Sequence, residues 1–221
     1  MSIQIHPKPS LLFDSAALAV WRGIPVSIVG DELNRSQIMQ SALRPLSGGV
    51  RMIGQALTVE CMVGDNSALH FALEQVWPGA VIVADGRGHV ETAIWGEIMH
   101  TCAKAQGATG VIVDGAMRDS AAIADSGLPA YCRGVTPRGP HKGWGGAILG
   151  TVQCGGVAVR AGDLVIGDDD GVVVVRPEQL PGLAERCRER MAREEKILHR
   201  VRAGEHTVRV LKLGPAESIG R

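Results

Sequence analysis

Short apolar runs, repeatedly broken by glycine and polar turns, fill the middle of the chain, and a stretch with helical spacing closes it. The clearest unit is residues 94–119, IWGEIMHTCAKAQGATGVIVDGAMRD. A glycine and an acid at Gly96-Glu97 open a predicted helix that closes at Gln106-Gly107. The apolar run Val111-Ile112-Val113 follows as a buried strand ending in Asp114-Gly115. One crossover therefore brings Gly96, Glu97, Arg118 and Asp119 to a common rim, where helix N-termini and strand C-termini of α/β folds meet their ligands.

The remaining elements follow from the same patterning. Residues 1–13 read as an arm or edge segment, and Asp14 caps a short helix through Val20. Pro25, Pro45 and Gly48-Gly49 break up residues 23–53, leaving a short helix near 34–42. Gly54–Met62 alternates as a strand, with Ala56, Thr58 and Glu60 on one face and Leu57, Val59 and Cys61 on the other. A turn at Gly64-Asp65 precedes a helix to about Gln75, on which Asn66 and His70 are one turn apart. Ala80–Ala84 is a buried strand closed by Asp85-Gly86-Arg87-Gly88. DSAAIADSG after Arg118 gives another short helix, Leu128–Val135 a strand and Thr136–Gly146 a flexible loop. Strands are predicted at Leu149–Val152, Val157–Val159, Leu164–Gly167 and Val172–Val175. Leu180, Ala184, Cys187, Met191 and Leu198 then mark one face of an amphipathic helix over about 178–200, ahead of a peripheral tail of about twenty residues.

Composition narrows the class. Phe and Tyr total three against 29 glycines, so the core must be built from Val, Ile, Leu and Ala. With 23 basic and 23 acidic residues and no basic stripe, nucleic-acid binding is disfavoured. No apolar run approaches a membrane span, and the expectation is a soluble cytoplasmic protein. The five cysteines are scattered without a CxxC and read as small buried hydrophobes. One domain over 1–221 is expected, with its core at about 14–176.

At the 94–119 rim, the helix N–H groups suit a carboxylate, and the Arg118 fork suits a carboxylate or enolate oxygen. Asp119 and Glu97 are hard carboxylates suited to Mg²⁺ or Mn²⁺ held largely by water. Each has a plainer reading: Arg118-Asp119 as a surface turn and helix cap, Glu97 as a first-turn acid, Asp85 as a turn former. Arg138, His141 and Lys142 either close over an anion or belong to a solvated connection. No dinucleotide, Walker or serine-hydrolase glycine motif occurs.

GEIM at 96–99 followed by GAMRD at 115–119 resembles the RraA-like family, which includes 4-hydroxy-4-methyl-2-oxoglutarate and 4-carboxy-4-hydroxy-2-oxoadipate aldolases beside ribonuclease-regulating proteins. GDN at 64–66 with His70, PGA at 78–80, GPHK at 139–142 and AGDLVIGDDDGVVVV at 161–175 extend the resemblance over roughly 14–200. Glu97 stands where the aldolase pattern commonly shows Asp. The resemblance implies a swivelling α/β/β sandwich with mixed sheets and a C-terminal helix, in a trimer or dimer of trimers. It also implies a class II pyruvate aldolase with oxaloacetate decarboxylase side activity, or else a non-catalytic regulator or protein-binding scaffold. In the aldolase reading Asp119 coordinates Mg²⁺ (or Mn²⁺) and Glu97 holds a metal-bound water. Arg118 contacts the pyruvyl unit and its enolate, while the backbone at Gly96, Glu97, Ile98 and Met99 holds the pyruvyl carboxylate. Asn66 and His70 face the distal part of the oxo-acid substrate.

Overall fold

The structure, a computed structural model, describes residues 2–10 and 13–217. Leu11 and Leu12 of the expected arm, and 218–221 of the expected tail, lie outside the described residues. The chain opens with β1 (Ile3–Ile5), α1 (Ser15–Ala19) and α2 (Val26–Glu32). Its alternating middle is β2 (Arg44–Pro45), β3 (Met52–Cys61), α3 (Ser67–Leu73), β4 (Ala80–Trp95), α4 (Glu97–Ala105), β5 (Gly110–Met117), α5 (Ser120–Asp125) and β6 (Ala130–Val135). Five strands follow: β7 (Gly146–Ile148), β8 (Val152–Cys154), β9 (Val157–Val159), β10 (Leu164–Asp168) and β11 (Gly171–Val175). A 3-10 turn at Pro177–Gln179 leads to α6 (Leu183–Arg202) and α7 (Thr207–Val210).

Strands β3, β4, β5 and β6 lie parallel and adjacent within the order β1-β7-β3-β4-β5-β6-β2. One edge of β3 is shared: residues 52–55 pair antiparallel with β10, and Val59–Cys61 pair antiparallel with β7. The sheet therefore forks along β3, and β3, β5 and the first half of β4 are buried on both faces, as their near-continuous apolar runs require. Leu57, Val59 and Cys61 face a core with Leu69, Met99, Ala103 and Ile123 of the helices. Ala56, Val81, Val83 and Ile112 face Val152, Val159, Val165 and Val174 of the second β layer. Leu164, Ile166, Val173 and Val175 turn outward under Val26, Val29, Leu183 and Cys187 of α2 and α6. These layers make the expected α/β/β sandwich, with α2 and the start of α6 packed outside it.

Local differences from the sequence reading have physical causes. The helix expected at 34–42 lies instead at Val26–Glu32. Pro25 presets φ at −59° immediately before it, and Val26, Val29 and Leu33 supply the buried stripe. Asn34, Arg35 and Gln37 take left-handed φ values that end any helix there. The strand expected at Leu149–Val152 is two strands, β7 and β8, because Leu149 has φ +66°. α6 begins at Leu183, since Pro177 and Pro181 keep 178–182 out of the helix.

The change in β4 matters most. Asp85-Gly86-Arg87-Gly88 does not close the strand; it opens a long bulge in which Asp85, His89, Ala93 and Trp95 oppose Asp114, Gly115, Ala116 and Met117. Arg87 (φ +57°) and Gly88 (φ +69°) turn the chain outward, so that both strands run on past the bulge. Trp95-Gly96 and Met117-Arg118 thereby finish side by side.

Candidate functional site

Helix α4 starts after Gly96, whose backbone is extended at φ −158°, ψ −178°. Glycine permits a close approach here. A Cβ would fall 2.8 Å from Asp119 Oδ2 and 3.1 Å from Arg118 Nε. The helix has no side-chain cap of its own. Asp119 serves from across the crossover: its Oδ2 accepts the Glu97 N–H at 3.1 Å and lies 3.4 Å from Arg118 Nε. Asp119 also occupies the N-cap position of α5, in the left-handed region at φ +59°, but makes no side-chain bond to that helix. Its carboxylate is turned to the mouth of α4, not to ordinary capping. The Arg118 N–H donates to the Trp95 carbonyl at 3.0 Å, tying the two strand ends together.

Asp119 already occupies the Glu97 N–H, so of the backbone groups expected to bind a carboxylate, the Gly96, Ile98 and Met99 N–H groups remain without an acceptor among the described residues. A cavity of about 100 Å³ opens beside them, lined by Asn66, His70, Trp95, Met99, Arg118 and Lys142, with Gly96 and Ile98 at its edge. Arg118 also borders a shallow depression formed with Asp119, Val135 and Thr136. Glu97 is exposed, as is Ile98, and Glu97 does not line the cavity. Asn66 is buried; its amide N–H₂ donates to Met99 Sδ at 3.4 Å and its Oδ1 has no protein partner among the described residues. Burial lowers the His70 pKa and the Lys142 charge lowers it further, with Asp65 opposing.

The 136–146 segment is pinned, contrary to the flexible loop expected. The Ala93 N–H donates to the Arg138 carbonyl at 2.9 Å, and the His141 N–H to Gly64 at 2.8 Å. Asp65 is buried; its Oδ1 accepts the Ser67 N–H at 2.8 Å and its Oδ2 the Trp144 N–H at 3.1 Å. Burial raises the Asp65 pKa, but the bonds from Ser67 and Trp144 outweigh it and the net shift is downward. The three cationic candidates separate: Lys142 lines the cavity, His141 stacks on Trp144 at 4.7 Å, and the exposed Arg138 stands outside the lining. The sequence reading missed Trp95 as a cavity wall, although its place directly before the helix-opening Gly96 was the available signal.

Among the described residues no group of three or more His, Cys, Asp and Glu side chains is arranged to hold a metal. The site instead offers Asp119, whose Oδ1 makes no hydrogen bond among the described residues, and the exposed Glu97 nearby. Such a donor set fits a Mg²⁺ or Mn²⁺ ion that keeps most of its waters. A hollow of about 660 Å³ lies elsewhere, between α1 and the turns preceding β4 and β5. Its Arg51 is committed to the Trp21 and Ile24 carbonyls and to Asp168, and its remaining walls are largely apolar. The convergent polar groups are at the α4 mouth.

The family model RraA-like, described as Aldolase/RraA, matches residues 26–174. The chain belongs to the RraA-like family. It is 36% identical, over 175 residues, to a Halalkalibacterium halodurans protein provisionally named 4-hydroxy-4-methyl-2-oxoglutarate aldolase, covering 79% of this chain and 83% of that protein. Streptomyces coelicolor RraAS2, described as an unusual member of the RNase ES inhibitor RraA protein family, superposes with TM-score 0.76 at 28% identity, covering 85% of this chain and 98% of that one. An uncharacterized Pseudomonas syringae pv. tomato protein superposes with TM-score 0.80 at 23% identity, covering 95% and 99%, and shows the shared RraA-like fold. These relatives link the chain both to aldolase-type enzymes and to regulatory inhibitors. No helix among the described residues is long and apolar enough to cross a membrane.

Proposed function

We propose that this RraA-like protein is an oxo-acid lyase. It would cleave a 4-hydroxy-2-oxo dicarboxylic or tricarboxylic acid to pyruvate and a second oxo acid, and decarboxylate oxaloacetate at the same site. The observation that carries this reading is the packing of Arg118 and Asp119 onto Gly96 at the open mouth of α4, beside a small cavity with two cationic side chains. The aldolase name of the H. halodurans relative supports it.

The Ile98 and Met99 N–H groups would bind the pyruvyl carboxylate, helped by the helix field. Arg118 would face the 2-oxo oxygen. Asp119 would hold a divalent ion directly and Glu97 one of its waters; the ion supplies Lewis-acid polarisation of the 2-oxo acid. Glu97 would orient the base that takes the C4-hydroxyl proton. As C4 becomes a carbonyl, the C3–C4 bond breaks and its electron pair passes into the pyruvate enolate. Arg118 opposes that growing charge, an effect commonly worth about 3–4 kcal/mol per donor. Protonation at C3 completes pyruvate. Loss of CO₂ from oxaloacetate gives the same enolate. Subunits of a homo-oligomer would complete the surroundings of the site.

A second reading, a non-catalytic regulator of an RNA-processing ribonuclease, has the more direct support among the solved relatives, through the description of RraAS2. Pyruvate release from oxaloacetate and from 4-hydroxy-4-methyl-2-oxoglutarate, with Mg²⁺ and with chelator, separates the two. Chelator-sensitive release supports the lyase. A well-folded protein that releases none, yet slows an RNase E-type enzyme, supports the regulator.

A further inference from the structure

His100 is a buried titratable group, 1% exposed, that takes no part in the proposed chemistry. It stands one turn into α4, and its ring meets that of Trp95 edge-on at 6.4 Å between centroids. The Trp95 indole Nε1–H donates to His100 Nδ1 at 3.3 Å, and His100 Nε2 lies 2.8 Å from Ser126 Oγ. An indole nitrogen only donates, so Nδ1 must accept and the neutral ring carries its proton on Nε2. Ser126 is equally constrained: its hydroxyl donates to the Ile123 carbonyl at 2.7 Å and accepts the Leu128 N–H at 3.1 Å. The geometry therefore makes Nδ1 the acceptor and Nε2 the donor, towards Ser126 Oγ with the Leu128 backbone also in reach.

We propose that His100 is a positioning residue that holds Trp95, and through Trp95 the mouth of α4 and Arg118, in place. The connection is short. Trp95 lines the cavity, its carbonyl accepts the Arg118 N–H at 3.0 Å, and the next residue is Gly96. A proton on Nδ1 sets two donors face to face, breaks the bond to the indole and frees the wall on which that geometry rests. Burial holds the His100 pKa down to about 4, with Lys104 on the same helix lowering it slightly further and the bond to the Leu128 backbone opposing. Trp95 on β4 and Ser126 after α5 bring only neutral groups to the ring. The site stays locked through the neutral range and loosens in acid.

Proton–nitrogen NMR of the intact chain tests this without needing turnover. The Trp95 indole signal is assigned by its loss in Trp95→Phe. The expected result is an Nε2–H imidazole at neutral pH, followed on acidification below pH 6.5 by shifts of the Trp95 indole and the Glu97 and Arg118 amides with one shared midpoint. His100→Asn, which offers a carbonyl oxygen near the Nδ1 position and does not titrate, should hold the indole signal fixed and remove from the two amides the transition that they share with it. If that variant does not fold, Trp95→Phe serves instead: the Glu97 and Arg118 amides should stop following His100. A ring proton on Nδ1 would overturn the proposal. So would an indole that moves while both amides stay still, or shared movement that persists in His100→Asn.

Discussion

Replacing Gly96 with alanine separates the site from the fold. Alanine adopts the extended backbone of residue 96 without strain, so the perturbation is steric. The new methyl group would lie 2.8 Å from Asp119 Oδ2, 3.1 Å from Arg118 Nε and 3.2 Å from Arg118 Cγ, where ordinary contact begins at 3.4 Å. The carboxylate must retreat by about 0.6 Å (3.4 less 2.8), which is feasible because both side chains are about 40% exposed. The stability cost is small. A worse cap and a weakened bond to the Glu97 N–H cost roughly 0.5–1 kcal/mol each, offset by about 0.4–1 kcal/mol from a stiffer unfolded chain. Turnover should suffer far more, since about 1 Å of misplacement costs on the order of 100-fold, so a 10- to 100-fold loss is roughly what this shift should produce. Steady-state pyruvate release from oxaloacetate with Mg²⁺, beside thermal unfolding, measures both quantities. Full activity in a folded Gly96→Ala protein would refute the reasoning. A melting point lowered by tens of degrees would also refute it, because Gly96 would then belong to the core.

Other substitutions probe neighbouring parts of the argument. Arg118→Lys keeps the charge but not the planar fork, and should lose about 10²–10³-fold in pyruvate release with little change in melting temperature. Gly110→Ala is the opposite case: its Cβ would run into the side chain of the buried Met52, far from the chemistry, and overpacking of this kind costs about 1–3 kcal/mol in a denaturant titration. Asp65→Ala unpins the segment after His141, so the Trp144 amide should exchange faster with deuterium, with about 2–3 kcal/mol lost from unfolding. Because His100 binds its proton near 6.5 unfolded but at about 4 folded, its contribution is complete above pH 6.5 and is lost as pH falls towards 4. That loss, about 3 kcal/mol at most, should be absent from acid-titrated unfolding of His100→Asn.

The chain's own pattern determined a good deal. Period-two and continuous apolar runs marked β3, β5, β6, β9, β10 and β11, because a strand buried on both faces must be apolar throughout. Asp14 marked the start of α1 through its own side chain, local chemistry that needs no distant partner. The GEIM and GAMRD segments pointed to the RraA-like family and to one rim of the fold. What adjacency in sequence does not contain is which residues meet across the molecule. That Asp119 caps α4 and not its own helix depends on the β4 bulge, which lets the eleven residues Asp85–Trp95 oppose the four residues Asp114–Met117 so that two strand ends coincide. Helix α2 is settled by the stripe that it buries on the β10–β11 face, a contact about 140 residues away along the chain. The anchoring of the 136–146 segment comes from Gly64, Asp65 and Ala93, and the neutrality of His100 from Trp95, Ser126 and exclusion of water. Those are properties of a packed interior, where burial and the partner supplied by another element decide what a side chain does.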